Sequence, residues 1–282
     1  MGLLIVVLSL VAIDFDFSGI PAERLTLIGD SASPVPWHTL LTGMFLIQIF
    51  YWSTNQTITQ RAMAAPTVKE AQKGVYAAAF IRVIFIPSMV VIPGIVAFKL
   101  YGDIGDQAYG RIVGDLLPSW LSGVFAAAIA AAVLSSFNSM VNSSAAMYVC
   151  DLHERYIDEK PNVRVLSGIA TGVFVLIAVA MVPVYAQSDS IINLLQELWG
   201  LISMPILACF AVGILFKNVD YRAAIAAVIF GVLMYACFIW LWMPLHYIHM
   251  TFFTFFICVG LALTINRLVL GNKAEFIGLQ AV

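Results

Sequence analysis

The sequence predicts an all-α polytopic membrane protein, and three observations support this prediction. Apolar residues make up 62% of the 282 positions, whereas charged residues make up only 11%. Apolar runs of roughly 17 to 25 residues, the length of a membrane-spanning helix, recur along the chain. Basic residues gather in alternate connections between those runs. A soluble domain with a charged surface is therefore excluded.

Seven runs are long enough to cross a bilayer as helices. They are Pro36 to Thr57, Tyr76 to Phe98, Trp120 to Val149, Val165 to Tyr185, Ile191 to Phe216, Ala223 to Met243 and Leu245 to Ile265. An eighth run, Gly2 to Ile13, is too short for about 30 Å of hydrocarbon. No basic flank or small-residue cleavage site marks it as a signal peptide, so we interpret it as a helix whose beginning is missing. We expect seven full spans and one partial span in a single transmembrane domain, residues 1–282.

Lysine and arginine predict the topology of the chain. The connections that carry most of them alternate along the sequence: Arg61, Lys69 and Lys73; Arg155, Lys160 and Arg164; Lys217 and Arg222; Arg267 and Lys273. The positive-inside rule places these connections, and with them the C-terminus, in the cytoplasm. The long connections Asp14 to Val35 and Lys99 to Ser119 then face outside, where short helices are plausible. We therefore predict a multi-pass protein of the cell membrane.

The segment Phe50 to Ala64 is the strongest functional signal. Together with Gln48 it places polar and aromatic groups inside and just past an apolar span, among them Tyr51 and Asn55. Such groups are costly in hydrocarbon unless they face protein, water or a ligand. This helix is therefore expected to contact something polar.

A serine-rich stretch in the third full span suits a monovalent cation. In a helix Ala132, Ser135, Ser136 and Ser139 share one face. Two hydroxyls beside a backbone carbonyl form a neutral oxygen cluster, although an alkali cation needs about five oxygens, so a second helix must supply the others. Close helix packing through small residues explains the same pattern, and both interpretations stay open on the residues alone.

Other polar residues within the spans have two interpretations each. Arg82 marks a substrate or ion path, or it extends to the inner headgroups. Asn193, Gln196 and Glu197 line an outer vestibule, or they form an ordinary solvated helix end. No nucleophile elbow, phosphate loop, zinc pattern or redox pair is present, so an enzyme is not expected. With a net charge of −2 and no nucleic-acid motif, nucleic acid is not an expected partner either.

Four segments, in this order, resemble the sodium/solute symporter family and most closely its sodium/glucose cotransporter branch. They are FYWSTNQTITQRAMAA, KEAQKGVYAAAFIRV, AAAIAAAVLSSFNSMVNSSAAMYVCDLHERY and LLQELWGLISMPILACFAVGILFK. The resemblance runs from about Pro36 to Lys217 and implies a leucine-transporter-like core of two inverted five-helix repeats. Residues 1–13 would end the first repeat, 36–216 would form the second, and 223–265 would be peripheral helices. Most of the N-terminal repeat would then be missing from this chain.

The resemblance also implies site residues. The Ala132 carbonyl and the hydroxyls of Ser135 and Ser136 would bind sodium. Tyr51 would stack on a sugar as an inner gate with Trp52 beside it, since a sugar presents an apolar C–H face. The positions that would contact the sugar through polar groups are Gln48, Arg82 and Gln196. Two of these depart from the family, whose sugar transporters often carry a small polar residue in place of Gln48 and Lys in place of Arg82.

The resulting expectation is sodium-coupled symport of a small polar organic solute, with a monosaccharide as the leading candidate. Sodium acts as the coupling ion and no cofactor is expected. The other expected partners are the lipid bilayer and the missing N-terminal repeat. A solute sensor on the same fold and a nonfunctional truncated transporter are the alternatives.

Overall fold

The structure is a computed structural model that describes residues 1–26, 28–31, 33, 35–187, 191–242 and 245–278, without the side chain of Asn193. Regular structure in these ranges is almost wholly helical. The α-helices are α1 (Gly2–Ala12), α2 (Gly43–Ser53), α3 (Gln56–Met63), α4 (Val68–Tyr101), α5 (Ala108–Leu116), α6 (Ser119–Ala146), α7 (Glu154–Tyr156), α8 (Val163–Ala186), α9 (Ile191–Leu215), α10 (Tyr221–Trp240) and α11 (Tyr247–Leu268).

Six helical segments in the described ranges are long and apolar enough to cross a membrane. They include α4, α8, α9, α10 and α11, and the sixth runs from Ser119 to Tyr156, because the π-helix Met147–His153 joins α6 to α7. The prediction of an all-α polytopic membrane protein is therefore confirmed. The predicted end of the sixth full span, Met243, lies outside the described residues, and α10 ends at Trp240.

The predicted span Pro36 to Thr57 is not one continuous helix, so six of the seven predicted full spans are single helices long enough to cross a membrane in the described ranges. A 3₁₀ helix, Trp37–Leu41, precedes α2, and the chain leaves the helical path between Ser53 and Gln56. At this break Thr54 Oγ1 donates to the Phe50 carbonyl at 2.9 Å, and the Thr57 amide donates to Asn55 Oδ1 at 3.0 Å. Short polar side chains thus compete with the helix for its backbone groups.

The helix α4 begins at Val68, well before the predicted Tyr76. Its N-cap is Thr67, whose side chain accepts a hydrogen bond from the Glu70 amide at 3.2 Å. Polar Thr67 to Gly74 therefore extends the helix beyond its apolar part, and Arg82 lies further from the helix start than predicted. The two long connections contain the short helices that were expected there: the 3₁₀ helices Ala22–Arg24 and Gly105–Gln107, and α5.

The chain divides into two compact units. The first unit comprises Met1–Leu27 and Gln60–Ser190. Its buried apolar cluster joins α1, α4 and α5, and it contains Ile5, Ile13, Val96, Ala97, Ile112 and Leu117. Lys99 near the end of α4 pairs with Asp16 at 2.9 Å. The Ser18 hydroxyl and amide, followed by Lys99, hold the pKa of the Asp16 carboxyl well below its usual range.

The second unit comprises Ile28–Thr59 and Ile191–Val282. Here α9, α10 and α11 pack on one another, and α2 packs on α9 and α11. Glycine permits a close approach at the start of α2, because a Cβ on Gly43 would overlap the Ile248 carbonyl of α11. Two short strands, β1 (Phe216–Lys217) and β2 (Glu275–Phe276), pair antiparallel, with Phe216 opposite Phe276. The sequence pattern did not indicate these strands.

Candidate functional site

The predicted site residues fall into two sets, one in each compact unit. The first unit holds Arg82, Ala132, Ser135 and Ser136. The second unit holds Gln48, Tyr51, Trp52 and Gln196. Of the three polar residues predicted at the start of α9, the side chain of Asn193 lies outside the described part of the chain, and Glu197 is half-buried.

The helix α2 brings three of the predicted solute residues together. Trp52 Nε1 donates to Gln48 Oε1 at 3.1 Å, a contact between residues four apart on one helix. The rings of Tyr51 and Trp52 meet edge to face, with centroids 5.1 Å apart. Trp52 is 44% exposed, so much of its ring is accessible. Tyr51 and Trp52 lie on the last turn of α2, directly before the helix break, and Gln48 lies one turn earlier.

A tryptophan that was not predicted from the sequence, Trp199, completes this aromatic group. Trp199 of α9 stacks on Tyr51, with centroids 5.8 Å apart and 29° between the ring planes. It lies three residues after Gln196 and therefore near it on the helix surface. That spacing, within the motif LLQELWG, is the signal that could have identified it. Trp199 is 47% exposed.

Gln196 is half-buried, and its side chain contacts a residue of α11. The Tyr247 hydroxyl donates a hydrogen bond to Gln196 Oε1 at 3.3 Å. An amide oxygen engaged in this way leaves the NH₂ group as the donor end of the side chain. The second unit thus places two amides, Gln48 and Gln196, and three aromatic rings on the neighbouring helices α2 and α9. Such a mixture of flat apolar faces and amides suits a hydroxylated ring.

The predicted sodium residues lie on α6 and are exposed. Farther along the helix, the hydroxyls of Ser139, Ser143 and Ser144 donate to the carbonyls four residues before them, at 2.8 to 3.0 Å. Within α6, all of which the structure describes, the hydroxyls of Ser135 and Ser136 make no hydrogen bond. Serine in a helix often bonds back to its own backbone, so two hydroxyls that do not are open to a ligand.

A basic residue, Arg61, lies close to this serine face. Arg61 of α3 donates through Nη2 to Ser139 Oγ at 2.6 Å. The sequence reasoning assigned Arg61 only to a cytoplasmic connection, and nothing in its neighbourhood indicated Ser139 as a partner. Arg82 belongs to the same unit and is exposed on α4. The structure assigns Arg82 to a different unit from the residues of α2 and α9, so its proposed solute contact stays a prediction.

Comparison with known proteins identifies the family. A model of the sodium:solute symporter family matches residues 26–231. The chain is 34% identical over 212 residues to the sodium/glucose cotransporter of Vibrio parahaemolyticus, an alignment that covers 67% of this chain and 39% of the relative. It is 32% identical over 220 residues to the uncharacterized symporter YidK of Escherichia coli strain K12, covering 76% of this chain and 38% of the relative.

A eukaryotic relative shows a weaker similarity. The chain is 27% identical over 225 residues to sodium/myo-inositol cotransporter 2 of Mus musculus, covering 72% of this chain and 33% of the relative. The chain therefore spans about two fifths or less of the length of these relatives. Members of the matched family are membrane transporters and not enzymes, and they use sodium as the coupling ion without a cofactor. This chain, a multi-pass membrane protein, belongs to the sodium:solute symporter family.

Proposed function

We propose that this chain contributes to sodium-coupled symport of a small polar organic solute, and that the solute is a monosaccharide or a similar hydroxylated ring. The observation that supports the solute class most strongly is the stacked pair Tyr51 and Trp199, with the amides of Gln48 and Gln196 on the same two helices. The aromatic faces would contact the apolar side of the ring, and the amides would bind its hydroxyls.

The helix break supports the same proposal. In transporters with inverted repeats, substrate and ion sites are typically formed where a membrane helix is discontinuous. Here the chain leaves the helical path directly after the aromatic residues of α2, and the hydrogen bonds of Thr54 and Asn55 satisfy backbone groups at the break. Irregular backbone at membrane depth is tolerated only inside protein or beside a water-filled cavity.

The sodium site in this proposal uses the Ala132 carbonyl and the hydroxyls of Ser135 and Ser136. Both hydroxyls lack a hydrogen bond within α6. The remaining oxygens would come from the first repeat that the family resemblance implies. Sodium would stabilise an outward-open state, and solute binding would then favour occlusion and rocking toward the inside.

Uptake by the complete protein in liposomes tests this function. Under an inward sodium gradient we expect accumulation of labelled D-glucose or myo-inositol, the solutes in the names of the relatives. An equal potassium gradient is the control and should give no accumulation. Solute binding without flux would favour a sensor on the same fold. If the protein neither binds nor transports any hydroxylated ring, the proposed solute class is contradicted.

A further inference from the structure

The contact between Tyr247 and Gln196 crosses from a helix outside the predicted second repeat to a predicted solute residue. Tyr247 is the first residue of α11, and its side chain is buried, with 6% of the residue exposed. Its hydroxyl donates to Gln196 Oε1 at 3.3 Å. The ring of His246 packs beside that of Tyr247, with centroids 4.6 Å apart. Burial and the contact with His246 hold the Tyr247 ring in place beside Gln196.

Other contacts fix the first turn of α11 to the segment that begins α2. His38 Nδ1 and His249 Nε2 share a hydrogen bond at 2.7 Å, and Thr42 Oγ1 shares one with His249 Nδ1 at 2.9 Å. Gly43 contributes as well, since the backbone of α2 lies against the Ile248 carbonyl there. The position of Tyr247 is thus set by contacts that do not involve Gln196.

We propose that Tyr247 is a positioning residue that fixes which end of the Gln196 amide faces the solute, an inference that rests on the proposed function. A free glutamine amide can turn over and present either its oxygen or its NH₂ group. The Tyr247 hydroxyl engages the oxygen, so Nε2 is the group left to bind solute. The solute group recognised at Gln196 is therefore a hydrogen-bond acceptor, such as a hydroxyl or ring oxygen of a sugar.

The first test compares Tyr247→Phe with a matched control, Tyr235→Phe. Both changes delete one hydroxyl from a buried tyrosine of the same unit, but the Tyr235 hydroxyl has no hydrogen-bond partner among the described residues. Sodium-driven uptake of D-glucose and myo-inositol is measured on the complete protein in liposomes. Tyr247→Phe should raise the KM about three- to tenfold, which corresponds to the free energy of one lost hydrogen bond. It should leave kcat and the half-activating sodium concentration unchanged. Tyr235→Phe should leave the KM unchanged.

A double-mutant cycle then separates positioning from a general structural role. In a Gln196→Ala background, Tyr247→Phe should cause no further rise in KM, because the group it orients is gone. Gln196→Glu keeps an oxygen for Tyr247 but removes the NH₂ donors, so it should raise the KM as much as Gln196→Ala does. This second variant tests the orientation even if Tyr247→Phe does not fold.

Three results would overturn the inference. These are an unchanged KM in Tyr247→Phe, the same rise in KM with and without Gln196, and a normal KM in Gln196→Glu. Each of them requires that the unmodified protein transports solute, so they leave the proposed function intact. Absence of sodium-driven uptake by the unmodified protein contradicts the proposed function, and the inference with it.

Discussion

The rings of Tyr51 and Trp199 stack within one compact unit, with centroids 5.8 Å apart and planes 29° from parallel. The contact joins the last turn of α2 to the third turn of α9, next to the break that ends α2. Because Trp199 remains 47% exposed, the pair keeps an accessible aromatic surface. In the proposed function, this surface contacts the apolar face of the sugar.

Replacement of Tyr51 tests that surface. Tyr51→Ala should raise the KM for D-glucose uptake at least about threefold, because an aromatic contact contributes about 0.5 to 1.5 kcal/mol beyond area burial. Tyr51→Phe should have a milder effect, since the ring remains. Initial uptake rates, normalised to the amount of protein in the liposomes, give both values. Equal KM values in the two variants and the unmodified protein would remove Tyr51 from the solute site.

Loss of one serine hydroxyl should weaken sodium binding. Ser136→Ala removes one of about five oxygens that an alkali cation needs, so the sodium concentration that half-activates uptake should rise severalfold. Ser144→Ala is the matched control, because that hydroxyl bonds to the Met140 carbonyl of its own helix. A sodium titration of uptake compares the variants. If uptake by both variants is half-activated at the same sodium concentration as uptake by the unmodified protein, the proposed sodium site on α6 is wrong.

Arg61 places a positive charge about one helical turn from the proposed sodium oxygens. Its bond to Ser139 puts the guanidinium near Ser135 and Ser136, which lie four and three residues before Ser139. Arg61→Gln keeps a donor for Ser139 and removes the charge, so the half-activating sodium concentration should fall about twofold or more. Arg61→Lys, which keeps the charge, should not lower it. An unchanged or raised half-activating sodium concentration in Arg61→Gln would show that the Arg61 charge does not weaken sodium binding.

The close approach of α2 to α11 should tolerate no side chain larger than glycine. Gly43→Ala would drive a methyl group into the Ile248 carbonyl and should lower stability by about 1 to 3 kcal/mol. Gly74→Ala on α4 is the control, since nothing lies within 4 Å of its added Cβ. Thermal unfolding in detergent measures both variants. If Gly43→Ala unfolds at the same midpoint temperature as Gly74→Ala, the close packing of α2 on α11 is contradicted.

The predicted orientation is testable with thiol labels. Cys150, which is exposed, should react with a membrane-impermeant reagent only from the cytoplasmic side. A cysteine introduced at exposed Gln107, in a version without native cysteines, should react only from outside. Labelling of intact and of permeabilised cells separates the two sides. The opposite pattern would reverse the topology, including the cytoplasmic C-terminus.

Most of the candidate site residues could be named from the sequence because their signals are local. The motif around Tyr51 and Trp52, the serine face at Ala132, and Gln196 each lie within a few residues along the chain. Their grouping could not be predicted in the same way. Trp199 contacts Tyr51, Arg61 contacts Ser139, and Tyr247 contacts Gln196. Each pair joins residues on different helices that lie far apart in the sequence, so the periodicity of a single helix does not predict the contact.

The sequence by itself determined that this is a helical membrane protein and which family it resembles. A bilayer requires long apolar runs whose backbone groups are satisfied within the helix, so composition and run length decide the class. Only the tertiary structure decided that the first predicted full span is broken after Ser53 and that α11 supports Gln196 through Tyr247. Hydropathy averages over a whole run, whereas a helix break and a hydrogen bond between distant residues depend on single polar groups and on which helices pack together.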